Sequence, residues 1–144
     1  MIMLKEIDRN NFWQVCELDV EESQRWFVAP NSFSLAQSKY DPECRPLAVY
    51  NDDTLVGFGM YGIDDKYDQN WIHRFMIDKR FQGKGYGKQA FCLLIEAAMQ
   101  NKNYHELYLS VNKDNPVAQR MYEGYGFVCS GDMHGDERVM VKQY

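Results

Sequence analysis

The stretch that most restricts the fold is residues 71–88, where an apolar strand pattern runs through a glycine-rich turn into an amphipathic helix. Trp71, His73, Phe75 and Ile77 alternate with Ile72, Arg74 and Met76, so an extended chain puts the first set on one face and the second on the other. Both faces are largely apolar, which places this strand inside a sheet. After Gly87, the residues Phe91, Leu94, Ile95, Ala98 and Met99 recur at the spacing of one helical face that runs to about Gln100. A buried strand feeding such a helix requires helices packed on a sheet.

The rest of the chain reads in the same terms. Residues 3–8 form a first strand, and Asn10 and Asn11 offer caps for a short helix with Phe12, Val15, Cys16 and Leu18 on one side. Residues 21–40 are aromatic and partly helical, and Ser34 is expected to cap a second helix after Pro30. Residues 46–50 and 54–63 form a hairpin across Asn51-Asp52-Asp53. Residues 106–111 alternate as a further strand, and Asn115 followed by Pro116 opens a helix ending near Gly124 or Gly126. Residues 127–133 and 139–142 close the chain as a hairpin across Gly135-Asp136. The order βααβββαβαββ predicts an α/β (α+β) fold, a single domain over residues 1–144.

Composition narrows the function. Hydrophobic residues make up 45% of the chain, enough for a core, yet the longest apolar run is residues 90–95, far short of the ~20 needed to span a membrane. No signal-peptide pattern is visible, so a cytoplasmic protein is expected. Cys16, Cys44, Cys92 and Cys129 form no CxxC pair and have no histidine at ligand spacing, which predicts reduced thiols and no metal. The net charge of −5 argues against nucleic acid and favours a small cationic partner.

The turn itself carries chemistry. Gly83, Gly85 and Gly87 let backbone N–H groups approach an anion, the helix N-terminus adds partial positive charge, and Lys84 and Lys88 supplement it. The loop lacks the Gly-Lys-Ser/Thr ending of a Walker A motif and the G-x-G-x-x-G spacing of a dinucleotide fingerprint. Gln82-Gly83-Lys84-Gly85-Tyr86-Gly87 instead resembles the Q/R-x-x-G-x-G/A pyrophosphate loop of GNAT acetyltransferases. The segment Asn115-Pro116-Val117-Ala118-Gln119-Arg120-Met121-Tyr122-Glu123-Gly124-Tyr125-Gly126-Phe127 is similar to that family's N-x-x-A-x-x-L-Y-x-x-x-G-F motif, with Met121 in place of Leu. Within the family the chain most resembles the spermidine/spermine acetyltransferases, through residues 55–62, 74–78 and 139–142.

The resemblance implies a mixed, mostly antiparallel sheet of seven strands with four helices, acetyl-CoA as cosubstrate, and a homodimer. It also implies roles. Backbone groups of Phe75, Met76 and Ile77 hold the pantetheine arm, residues 82–88 hold the pyrophosphate, and Asn115 both caps its helix and contacts the arm. Tyr122 takes the place of the family's general acid; a phenol of pKa about 10 stays protonated at neutral pH and can protonate a departing thiolate. His73 stands where polyamine acetyltransferases usually carry Glu or Asp, and an imidazole of pKa about 6.5 can accept the amine's proton. Glu21, Glu22, Asp64 and Asp65 are expected to border the acceptor and bind its ammonium groups, with Asp68 nearby. The aromatic residues Trp26, Phe27, Tyr61 and Tyr67 serve either cation–π contacts or the core. The implied reaction is direct acetyl transfer to a primary amine, with a polyamine as the leading acceptor. Another small amine, an aminoglycoside or a peptide amine remains open, as does a non-catalytic acyl-CoA-binding module.

Overall fold

The computed structural model describes residues 1–144. In chain order the elements are β1 (Ile2–Glu6), α1 (Phe12–Glu17), a 3-10 turn (Glu22–Phe27), α2 (Asn31–Tyr40), β2 (Cys44–Asn51), β3 (Thr54–Asp64) and β4 (Gln69–Ile77). There follow a second 3-10 turn (Lys79–Phe81), α3 (Tyr86–Ala98), β5 (Glu106–Asn112), α4 (Pro116–Gly124), β6 (Val128–His134) and β7 (Glu137–Gln143). One seven-stranded sheet has the order β1-β2-β3-β4-β5-β7-β6, antiparallel except where β4 meets β5. Strand and helix order therefore match the sequence reading, with boundaries moved by a few residues.

Helices cover both faces of the sheet. On one, α3 buries Phe91, Leu94, Ile95 and Ala98 against Ile72, Leu107 and Leu109 in the largest core cluster. On the other, Val15 and Val20 pack with Phe58, Met60 and Met76. Each of the Val, Leu, Ile, Phe and Met side chains, fully buried, contributes roughly 1.5–3 kcal/mol.

Two expectations need correction. Ser34 caps nothing: α2 starts at Asn31 behind Pro30, and the Ser34 hydroxyl is buried inside it without a partner. Strict alternation along β4 also fails, because Met60 pairs with Arg74 and Tyr61 with Ile72, leaving His73 as the extra residue of a β-bulge. The bulge returns Ile72 to the face of Phe75 and Ile77, toward α3, while Arg74 and Met76 face α1 and α2. Beside it, Gly62 is obligatory, since a Cβ there would collide with the Glu43 carbonyl oxygen.

The end of β4 is fixed by Asp78, which is 2% exposed. Its carboxylate accepts from the Asp19 amide at 2.9 Å, the Arg80 amide at 2.9 Å and Arg80 Nε at 2.8 Å. Burial pushes its pKa up, but these hydrogen bonds and the guanidinium outweigh burial and hold it below the usual carboxylate value. A depressed folded-state pKa adds stability above the unfolded value, and that stability is lost as pH falls through the folded one. Replacing Asp78 by Ala is expected to lower the unfolding free energy at pH 7 by about 2 kcal/mol. In urea titrations the gap between the two proteins should close as pH falls below ~4, and equal midpoints at pH 7 would contradict this anchoring role.

Candidate active site

β4 and β5 pair at two positions only, Asn70 with Leu107 and Trp71 with Tyr108, and then part. The gap opens into a cleft of about 890 Å³, lined by both strands, α4, the start of β7 and the 24–30 segment. Residues 72–77 of β4 thus present an unpaired backbone edge to the cleft. Unpaired N–H and C=O groups demand a partner, and an extended ligand carrying amides satisfies them as an added strand would.

The cleft passes through the sheet. On β5, Leu107, Leu109 and Val111 pack toward α3, so Tyr108, Ser110 and Asn112 point to the other face. Their partners across β5 and β7, including Glu137 opposite Asn112, share that face. Arg74 joins them and donates from Nη2 to Gln37 of α2 at 3.2 Å. Tyr122 approaches from the α3 side, its ring 5.2 Å from Phe91 and 6.4 Å from Phe127.

At the α3 end, Gly83 and Gly85 have φ of 78° and 82°, and Gly85 is the N-cap of α3. These left-handed conformations are where only glycine is unstrained. The backbone amides of residues 83–88 find no acceptor within the chain, and open space lies before Gly83 and Gly85. Lys84 and Lys88 are exposed beside them. This array fits a pyrophosphate. Gln82 holds the loop to the strand by donating from Nε2 to the Ile77 carbonyl at 2.9 Å and to Gln24 Oε1 at 3.0 Å. Asn115 caps α4, its Oδ1 accepting from the Ala118 amide at 3.3 Å, and it lines the cleft.

Tyr122 and His73 both line the cleft. The Tyr122 hydroxyl makes no hydrogen bond to the chain, and burial, with a further contribution from Glu137, pushes its pKa up to about 12. Phe75, Met76 and Ile77 line the cleft, and Gln82, Gly87 and Asn115 join them there. His73 Nε2 lies 3.2 Å from the Gly62 carbonyl, which selects the Nε2–H tautomer and leaves Nδ1 as an acceptor. Burial lowers its pKa, outweighing the Gly62 bond.

The structure does not bring the four acidic residues into the cleft. Glu21 and Glu22 are exposed at the start of the first 3-10 turn, where the Glu21 amide donates to Gln24 Oε1 at 3.2 Å. Asp64 accepts from the Lys66 and Tyr67 amides at 2.9 and 3.2 Å, a turn role, and Asp65 is exposed beside it. Asp68 lies in the same turn and accepts from the Tyr104 hydroxyl at 2.6 Å. Trp26 and Phe27 do line the cleft. Sequence reasoning missed Arg74, Ser110 and Glu137, which meet there.

A split sheet, a glycine-capped anion loop and a buried phenol across the gap define a site for transfer from an acyl-CoA. The profile of the Acetyltransferase (GNAT) family matches residues 5–127, and the chain belongs to that family. It is an acetyl-CoA-dependent N-acetyltransferase. Spermine/spermidine N(1)-acetyltransferase of Bacillus subtilis (strain 168) is 32% identical over 149 residues, covering 99% of this chain and 98% of that one. Spermidine N-acetyltransferase from Vibrio cholerae, solved with CoA and spermine, has a TM-score of 0.76 at 22% identity, covering 99% and 95% of the two chains. PaiA N-acetyltransferase from Thermoplasma acidophilum, solved with coenzyme A, has a TM-score of 0.73 at 21% identity, covering 100% and 99%.

Proposed function

We propose that this enzyme acetylates a primary amine of a polyamine, spermine or spermidine, by direct attack of the neutral amine on acetyl-CoA in a ternary complex. The observation that carries this acceptor is the similarity to the Bacillus subtilis spermine/spermidine enzyme along essentially the whole of both chains. The geometry supports a ternary complex, because the cleft reaches both faces of the sheet, one holding the anion loop and the other lined by the 24–30 segment and Arg74. Donor and acceptor then enter from opposite sides and meet in the gap.

In this proposal the edge of β4 at Phe75, Met76 and Ile77 holds the pantetheine arm and presents an N–H to the thioester oxygen. Residues 82–88 hold the pyrophosphate, and Asn115 meets the arm from α4. His73 takes the proton from the attacking ammonium, directly or through water, using Nδ1. Tyr122 returns a proton to the departing CoA thiolate. No helix is long and apolar enough to cross a membrane. The enzyme acts in the cytoplasm on a small cationic amine, without metal, nucleic acid or membrane. Self-association as a homodimer belongs to the same reading, and a further Vibrio cholerae spermidine N-acetyltransferase structure is dodecameric.

The test is thiol release from acetyl-CoA across spermine, spermidine, short diamines, an aminoglycoside and a lysine peptide. Preferred turnover of spermine or spermidine is expected; preference for the aminoglycoside or peptide would overturn the acceptor. Replacing Tyr122 by Phe is expected to lower kcat about a hundredfold or more with acetyl-CoA affinity retained, since a proton donor is lost and not a binding group; unchanged kcat would remove it from the chemistry. With His73 as base, kcat/KM must fall as pH drops below its lowered pKa, so the limb lies under pH ~6.5. His73→Ala should erase that limb, and a superimposable profile would give the histidine a structural role.

A further inference from the structure

The cleft is lined by one carboxylate, and it is not among those the sequence pointed to. Glu137 opens β7 opposite Asn112, on the face shared with Ser110 and Arg74. Ser110 Oγ donates to Glu137 Oε2 at 3.1 Å, fixing the rotation of the carboxylate, while Oε1 accepts no hydrogen bond from the chain. Neither cation lining the cleft neutralises it. Arg25 is paired with Asp19 at 2.7 Å. Arg74 donates from Nη1 to the His73 carbonyl at 2.7 Å and from Nη2 to Gln37 at 3.2 Å, and its buried Nε has no partner. Burial lowers the pKa of Arg74, and the charge of Glu137 only opposes that shift; burial raises the pKa of Tyr122, and Glu137 adds to it, yet Glu137 forms no ion pair. A half-buried carboxylate that is oriented, open on one oxygen and unpaired is matched by a ligand cation.

We propose that Glu137, turned by Ser110, binds an ammonium group of the acceptor and thereby makes this enzyme prefer amines with a second nitrogen. The nitrogen under attack must be neutral, so the nitrogen held by Glu137 is one that stays charged while the other reacts. A monoamine has none to offer. The inference rests on the polyamine reading above and assigns one residue the selectivity that reading requires.

The experiment is steady-state kinetics of the wild-type enzyme, Glu137→Gln and Ser110→Ala with spermidine and with n-butylamine, at saturating acetyl-CoA. Glu137→Gln keeps the volume and the Ser110 bond but removes the charge. It should raise KM for spermidine roughly tenfold to a hundredfold, the scale of a lost charge-assisted hydrogen bond. KM for acetyl-CoA should stay within about twofold, as should KM for n-butylamine, so the diamine preference collapses. Ser110→Ala should move spermidine KM the same way by about threefold, and Glu137→Asp should recover part of the loss. A variant with the wild-type preference for spermidine overturns the role of Glu137 while leaving the polyamine reading intact. A rise in both amine and acetyl-CoA KM, with a lowered Tm, shows a merely structural residue and also overturns it. A wild-type enzyme that does not prefer spermidine to n-butylamine overturns the polyamine reading, and this inference with it.

Discussion

The site depends on two neighbouring strands that stop pairing. β4 is held along its length by β3, and β5 by β7, so each belongs to its own half of the sheet. The halves share only Asn70–Leu107 and Trp71–Tyr108 before they diverge. On the α3 side the rings of Phe75, Phe91 and Tyr122 pack in sequence at 5.1 and 5.2 Å, filling the space behind the gap. A parted sheet is costly when dry, since each unpaired backbone group forfeits roughly 1–3 kcal/mol. The edge of β4 is therefore stable only if water or an amide-bearing ligand completes it, and the break in the sheet becomes the binding determinant.

The anion loop is tied to the rest of the molecule by two polar joints. Asp78 joins the end of β4 to the chain leaving α1 through the Asp19 amide, and the Lys79 amide returns a bond to the Asp19 carbonyl at 2.8 Å. Gln82 then spans from the Ile77 carbonyl to Gln24 in the segment roofing the opposite side of the cleft. The glycine loop and the 24–30 segment that lines the cleft are thus linked through one side-chain amide.

Most of the fold was legible because its signals are local. The hairpin turn before β3, alternation in β5, helical spacing in α3 and the Asn115-Pro116 start of α4 act within about ten residues, and the glycine loop needs only its own backbone. What escaped depends on pairing between distant strands. The bulge at His73 arises from the register of β4 against β3, so counting residues along β4 alone puts Ile72 on the wrong face. Glu137 escaped because the last two strands read as a closing hairpin, whereas β7 inserts between β5 and β6 and carries its first residue to the cleft. Only their place in the chain points Glu21, Glu22, Asp64 and Asp65 toward an acceptor, and turn geometry leaves them outside the cleft.

The same burial that builds the cleft governs its proton chemistry. Removing Tyr122 from water raises its pKa to about 12, with the nearby Glu137 charge adding to the shift. The phenol is therefore protonated at rest, but handing its proton to an ordinary thiolate of pKa about 8.5 would be uphill. The sulfur, however, would leave into the same poorly solvated gap, where its negative charge is disfavoured for the same reason, so its basicity rises along with that of the phenol. An ammonium group seated near Glu137 would offset the carboxylate's field and lower the phenol's pKa when the acceptor is bound. With Tyr122 as the proposed acid, the charge proposed to select the acceptor would also ease the proton transfer to sulfur, coupling acceptor binding to thiolate departure through Glu137.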